Sequence, residues 1–147
     1  MNSEVKLKST LEEASPQNLS IVYQDLKVLK LRTSNPCTHS SKQIRQIADS
    51  ISQFGFTNPI LIDEHNNVIA GHGRIAAAKL LGFTSGPTIQ LRNLTEEQLR
   101  AYVIADNKLA ENAGWDTEIL AIEFQNLIEL DLDFDITITG FEPAELD

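Results

Sequence analysis

The chain has 147 residues, a net charge of −9 and one cysteine. That length suits one domain, or a domain with short tails, and no run of about 18 apolar residues is present to span a membrane. Met1 to Ser15 is polar without an apolar signal segment, so the chain is expected in the cytoplasm, and Cys37 alone forms no internal disulfide and, with three histidines, makes a poor structural zinc set.

The charge is unevenly placed. Residues 1–115 hold 12 Lys and Arg against 11 Asp and Glu, while residues 116–147 hold 10 Asp and Glu and no base. Duplex DNA is bound largely through Lys and Arg that displace counterions, so a chain this acidic is expected to reach DNA only through another domain or partner. The acidic end reads as a solvated or partner-facing surface.

In chain order, residues 1–19 read as a flexible arm. Ile21-Val22-Tyr23 opens a strand, continued in alternation by Leu26, Val28 and Leu29. Residues 33–40 carry turn chemistry. Ser40 or Ser41 caps a helix with Ile44, Ile47, Ala48, Ile51 and Phe54 at helical spacing, stopped by Gly55. Pro59 to Ile62 and Val68 to Ala70 read as strands joined through residues 63–67. An alanine-rich helix, Ile75 to Leu81, closes at Gly82, and Pro87 to Leu91 reads as another strand. Thr95 and Gln98 form a capping-box pattern at the start of a long helix bearing Leu99, Tyr102, Val103 and Leu109. Gly114 breaks it, Trp115 reads as a core plug ahead of a base-stacking platform, and Asp116 starts a helix with Ile119, Ile122, Leu127 and Leu130. Leu132, Phe134, Ile136 and Ile138 alternate with polar residues, a strand pattern. Asp131, Asp133, Asp135 and Glu142 imitate a calcium loop, but such a loop needs glycine at its sixth position, where Ile136 stands.

The strand at Val68 to Ala70 runs into Gly71-His72-Gly73-Arg74. Glycines there admit unusual backbone angles and close approach of a ligand, and a helix start offers unpaired N–H groups and a positive dipole end. Arg74 adds a fork of donors matched to phosphate. On local sequence alone, two readings stand: an anion site, or a tight turn with Arg74 in solvent.

The order of these pieces resembles the ParB/sulfiredoxin superfamily over residues 23–115. The resemblance rests on Asn35-Pro36, the helix over residues 43–54, Gly55 to Ile60, Val68 to Arg74, Ala76 to Gly82 and Ala105-Asp106-Asn107. It implies an α+β fold with a small mixed sheet and four to five helices. It further implies a nucleoside triphosphate site for CTP or ATP with Mg²⁺. Gly71, His72, Gly73 and Arg74 would face phosphates, with Asn107, Asn35 and Asn58 as further nucleotide contacts and His39 in the same loop as Asn35. Asp106 matches the metal-placing acid, and Glu111-Asn112 is a second candidate pair. His72 stands where ParB has glutamate and sulfiredoxin its reactive cysteine, so sulfiredoxin chemistry is not expected. His72 and Asp106 are the candidate catalytic groups, His72 serving as an acid–base group or a phosphate donor.

The version here, with a following Trp115-Asp116, resembles ParB-like domains at the front of bacterial and phage DNA-modification methyltransferases. Neither a methyltransferase motif nor a clear helix-turn-helix is visible, and the chain reads equally as an excised domain or a stand-alone relative. The expected organisation is an arm over residues 1–19, a nucleotide-binding domain over 20–115 and an acidic helix-and-strand extension over 116–147. Two other functions stand beside nucleotide binding. A metal-dependent ParB-like nuclease would use Asp106, Glu111 and Asp63 or Glu64, and an interaction module would dock through the acidic end. Homodimer pairing is allowed, with no membrane partner.

Overall fold

The structure, a computed structural model, describes residues 18–32, 38–142 and 145. Two sequence expectations, the N-terminal arm before Asn18 and the Asn35-Pro36 loop contact, lie outside these residues. Among the described residues are four strands and four α-helices. The strands are β1 (Ile21–Asp25), β2 (Ile60–Ile62), β3 (Val68–Ala70) and β4 (Ser85–Gln90), and the helices α1 (Ser41–Phe54), α2 (His72–Leu80), α3 (Glu96–Asn112) and α4 (Thr117–Ile128). The sheet is mixed, in the order β1-β4-β2-β3, with β4 and β2 parallel and the two outer pairings antiparallel. The fold is therefore α+β, as the sequence pattern implied.

Sequence chemistry explains most boundaries. The Ser40 hydroxyl accepts the Gln43 amide at 3.1 Å to start α1, and Gly55, at φ +89°, ends it. The Asp63 carboxylate accepts the amides of His65 and Asn67 at 2.8 and 2.9 Å, which closes the β2–β3 turn. Thr95 and Gln98 form the complete capping box of α3. The Asp116 carboxylate accepts two amides at 3.1 Å at the start of α4.

The period-two pattern of the sheet sorts its side chains onto two faces. Ile60, Ile62 and Val68 pack with Ile75 and Ala78 of α2 and with Leu26 and Leu29. Ile69 packs on the other face with Leu99 and Val103 of α3, joined by Leu61, Ile89 and Tyr102. A third cluster, Ala48, Ile51 and Ala77, locks α1 onto α2, where alanines permit close approach. The layers thus run α1, α2, sheet, α3, and β3 delivers the chain into α2 at the centre of this stack.

Three expectations are corrected. The first strand stops at Asp25, whose carboxylate accepts the Lys27 amide at 2.8 Å and turns the chain into a 3₁₀ segment, Leu26–Val28. The chain then crosses to the far edge of the sheet, where Lys30 pairs with Asn67 beside β3. Residues 132–138 form no strand. The Asp135 carboxylate accepts the Thr137 amide and hydroxyl at 2.9 and 2.7 Å, which starts a 3₁₀ turn, Ile136–Thr139, ended by Gly140 at φ +93°. Local side-chain capping overrides the alternation. Trp115 is no core plug: it is 69% exposed and meets the Phe141 ring edge-on, centroids 5.3 Å apart. Among the described residues no helix is long and apolar enough to cross a membrane.

Ile62 is fully buried in β2, between α2 and the sheet. Ile62→Ala should lower unfolding stability by about 2–5 kcal/mol, read as a shift in the urea midpoint without change of slope.

Candidate functional site: a buried arginine at a strand-to-helix corner

Gly71 sits at φ +111° as the N-cap of α2 and offers no side chain to satisfy the first-turn amides. A residue with a Cβ is strained at that angle. The space is also taken: a Cβ there would lie 3.2 Å from Arg74 Nε and 3.3 Å from the Ile60 Cα. Glycine is thus required twice, once for the turn and once so that the guanidinium can lie against the main chain. Arg74 Nε is buried and has no hydrogen-bond partner among the described residues. Burial pushes the Arg74 pKa down, and the Asp106 carboxylate partly opposes this.

A cavity of about 130 Å³ opens at this corner, lined by His39, Gly71, His72, Gly73, Arg74, Asp106 and Asn107 among others. Helix α3 thus brings Asp106 and Asn107 to the α2 N-terminus although they lie some thirty residues downstream in the chain. Asp106 receives the Tyr102 hydroxyl one turn earlier, and burial, then the Asp106 charge, raises the tyrosine pKa. The Asn107 amide nitrogen donates to the Val103 carbonyl at 2.8 Å.

The two histidines form the cavity's other wall. His72 Nε2 accepts the Arg32 amide at 3.3 Å, so the neutral ring carries its proton on Nδ1. Burial, then the neighbouring His39 and Arg32 charges, pulls the His72 pKa below 6.5. Arg32 is held in turn by an ion pair with Glu96 in the first turn of α3. His39 lies over Gly73: a Cβ on Gly73 would approach its ring to 3.1 Å and Ile47 Cδ1 to 3.0 Å. His39 Nδ1 is 3.1 Å from Gln43 Oε1, which orients the ring from α1. Gly73 is accordingly buried and contributes only backbone.

The other sequence candidates separate. Asn58 is exposed and lines a second cavity, which shares Arg74 with the first. Glu111 is a correction: it is exposed, 3.5 Å from Lys108, and lines neither cavity. Five residues beyond Asp106 place it about 140° further round the helix. Asp63 and Glu64 line a different depression beside Leu99. Among the described residues no group of three or more His, Cys, Asp or Glu is placed to hold a metal. Asp106 alone suits a Mg²⁺ ion completed by ligand phosphate oxygens, the common arrangement for that ion with nucleotides. Sequence reading missed Arg32, which no motif marks. The glycine at 73, against arginine in the resembling family, was the available hint that His39 fills that space.

This architecture is the α+β domain of ParB-type proteins. Residues 10–108 match the ParB N-terminal domain, and the chain belongs to that family. Residues 118–147 match the ParB-methyltransferase HTH domain. That match corrects the reading that no helix-turn-helix is visible; its described part is α4 and a 3₁₀ turn of four residues, too short to leave a helical period. A protein of Escherichia coli K12, the ParB-like nuclease domain-containing protein YnaK, is 50% identical over 82 residues, which are 56% of this chain and 94% of that protein. The fold is also that of the chromosome-partitioning protein ParB of Caulobacter crescentus. Its C-terminally truncated form complexed with CTP-γ-S superposes with a TM-score of 0.69 at 20% identity, over 86% of this chain and 74% of that one. The same protein complexed to the centromeric parS site gives 0.50 at 17% identity, over 85% and 67%.

Two outcomes follow. Gly71→Ala should destabilise by about 1–3 kcal/mol through backbone strain, measured by chemical denaturation. Because the folded His72 pKa is depressed, its contribution to stability is present above about pH 6.5 and is lost as pH falls through the folded value. The melting temperature should therefore fall less between pH 7 and 5 in His72→Gln than in the parent, by thermal melts in matched buffers.

Proposed function

We propose that this domain binds a nucleoside triphosphate, CTP or ATP, with Mg²⁺, and serves a process of DNA partition, modification or phage biology. One observation carries the reading: a buried guanidinium nitrogen without a partner among the described residues lies against a left-handed glycine at a helix start with no side-chain cap. Two sources of positive potential therefore converge on one cavity, and an anion there supplies what both lack. Arg74 holds phosphate oxygens with the amides of the first α2 turn, and the protonated Nδ1 of His72 donates to the same group. Asp106 holds Mg²⁺, which neutralises phosphate charge when bound, and Asn107 supports it. Asn35 and Asn58 are further nucleotide contacts. The ParB neighbour complexed with CTP-γ-S supports the choice of ligand class.

The match to the ParB-methyltransferase HTH domain favours a role linked to DNA modification. With ten acidic residues and no base in residues 116–147, DNA is reached through another domain or partner. A nuclease is the second reading, favoured by the name of the half-identical relative. Among the described residues Asp106 is the one carboxylate lining the cavity, whereas metal-dependent nucleases commonly clamp two ions, so binding outranks cleavage.

A melting screen of CTP, ATP, GTP and UTP with and without Mg²⁺ tests this. A ligand at 100 times its Kd should stabilise by about 2.7 kcal/mol, and Arg74→Ala should abolish the shift. No shift with any nucleotide, or plasmid nicking lost in Asp106→Ala, would overturn it.

A further inference from the structure

The two histidines at the corner are held in different ways. His72 Nε2 accepts the Arg32 amide at 3.3 Å, so the neutral ring keeps its proton on Nδ1 and can donate it to an anion. His39 Nδ1 lies 3.1 Å from Gln43 Oε1 on α1. A side-chain amide oxygen only accepts, so the neutral His39 ring also carries its proton on Nδ1, and Gln43 takes that hydrogen bond. The His39 Nε2 then holds a lone pair. A lone pair has nothing to offer an anion, whereas a second proton turns that nitrogen into a charged donor.

Both rings line the cavity of about 130 Å³ together with Arg74. The other charged groups around it are Asp106 of α3 and Arg32, which is paired with Glu96. His39 also lies over the first turn of α2, its ring 3.1 Å from where a Cβ on Gly73 would stand, and the amides of that turn have no side-chain cap. The rings differ in what a second proton would disturb. On His72 it would set a donor against the Arg32 amide, and burial, then the His39 and Arg32 charges, already holds that ring below the usual 6.5. On His39 it leaves the Gln43 hydrogen bond intact.

Resting on the phosphate reading above, we infer that anion binding at this corner is proton-linked: as phosphate enters, one proton from solvent adds to Nε2 of His39, and the imidazolium joins Arg74 in holding the anion. No bond other than this N–H forms or breaks. The corner then has one permanent side-chain cation, Arg74, and a second that arrives with the ligand. Imidazole is the side chain whose charge changes near neutral pH. Affinity for the anion therefore falls as pH rises, by up to about tenfold per pH unit where the free ring is neutral and the bound ring charged.

Isothermal titration calorimetry on the full chain tests this, with CTP, ATP and inorganic tripolyphosphate, each with Mg²⁺. Titrations at about pH 7.5, above the ordinary histidine range, are run in buffers of different ionisation enthalpy. The dependence of the heat on buffer counts the protons taken up. The phosphates' own titration is common to every variant and cancels in the comparison. The parent should take up at least about half a proton more than His39→Gln, and its Kd should rise more steeply with pH. His39→Lys carries a fixed charge, so it should bind at least as tightly as the parent without that uptake, and it gives an independent reading should His39→Gln misfold. His72→Gln should keep the uptake. Equal proton counts in the parent and both His39 variants overturn the inference while the nucleotide reading stands. So does uptake lost in His72→Gln and kept in His39→Gln. Tripolyphosphate bound with His39-dependent uptake, where no nucleotide binds, overturns the nucleotide reading alone. If the parent binds neither, both fall.

Discussion

The contact on which the site depends is the one between the Arg74 guanidinium and the bare α-carbon of Gly71. A charged group taken out of water loses hydration, and the loss stands unless partners replace it. Here Nε finds none among the described residues, and the nearest compensating charge is Asp106, on another helix. The α2 dipole adds positive potential at the same place. This corner therefore carries a local electrostatic cost. Natural sites often give up stability in this way to gain binding.

The rest of the fold keeps that corner rigid. Ile60, Ile62, Val68 and Ile75 are essentially solvent-free beneath it, and buried side chains in such packing have little room to move. Ala77 and Ala78 are equally buried, and their small size lets α2 lie close to α1 on one side and to the sheet on the other. The Arg32 bridge from the sheet edge to both His72 and Glu96 ties the helices on opposite faces of the sheet. His39, placed over Gly73 by α1, explains why this family member has glycine where an arginine would collide with the ring.

The acidic C-terminal stretch is more than a solvated surface. Glu142 pairs with Lys42, and the Phe134 ring meets Phe54 of α1, which draws the segment against the domain. Yet Ile119 and Ile122 of α4 stay more than 60% exposed, so this helix is anchored mainly through Phe124 and the turn that follows. Packing of this kind is thin, and segments with few buried apolar contacts open at low free energy.

Residue chemistry by itself determined the elements whose signals are local. The caps at Ser40, Thr95 and Asp116, the Gly55 stop, the strand pair closed by Asp63 and the glycine corner all follow from hydrogen bonds and dihedral limits within a few residues. The order of these motifs also made the fold class legible. Tertiary structure alone decided which distant groups meet there. Asp106 reaches Arg74 because α3 packs across the sheet, whereas Glu111 on the same helix is turned away. His39 closes over Gly73, Arg32 reaches His72, and the alternating residues 132–138 become a capped turn beside α1 instead of a strand. Each of these depends on how separate elements pack, and packing is set by the summed burial of the whole core, which no short stretch of sequence encodes.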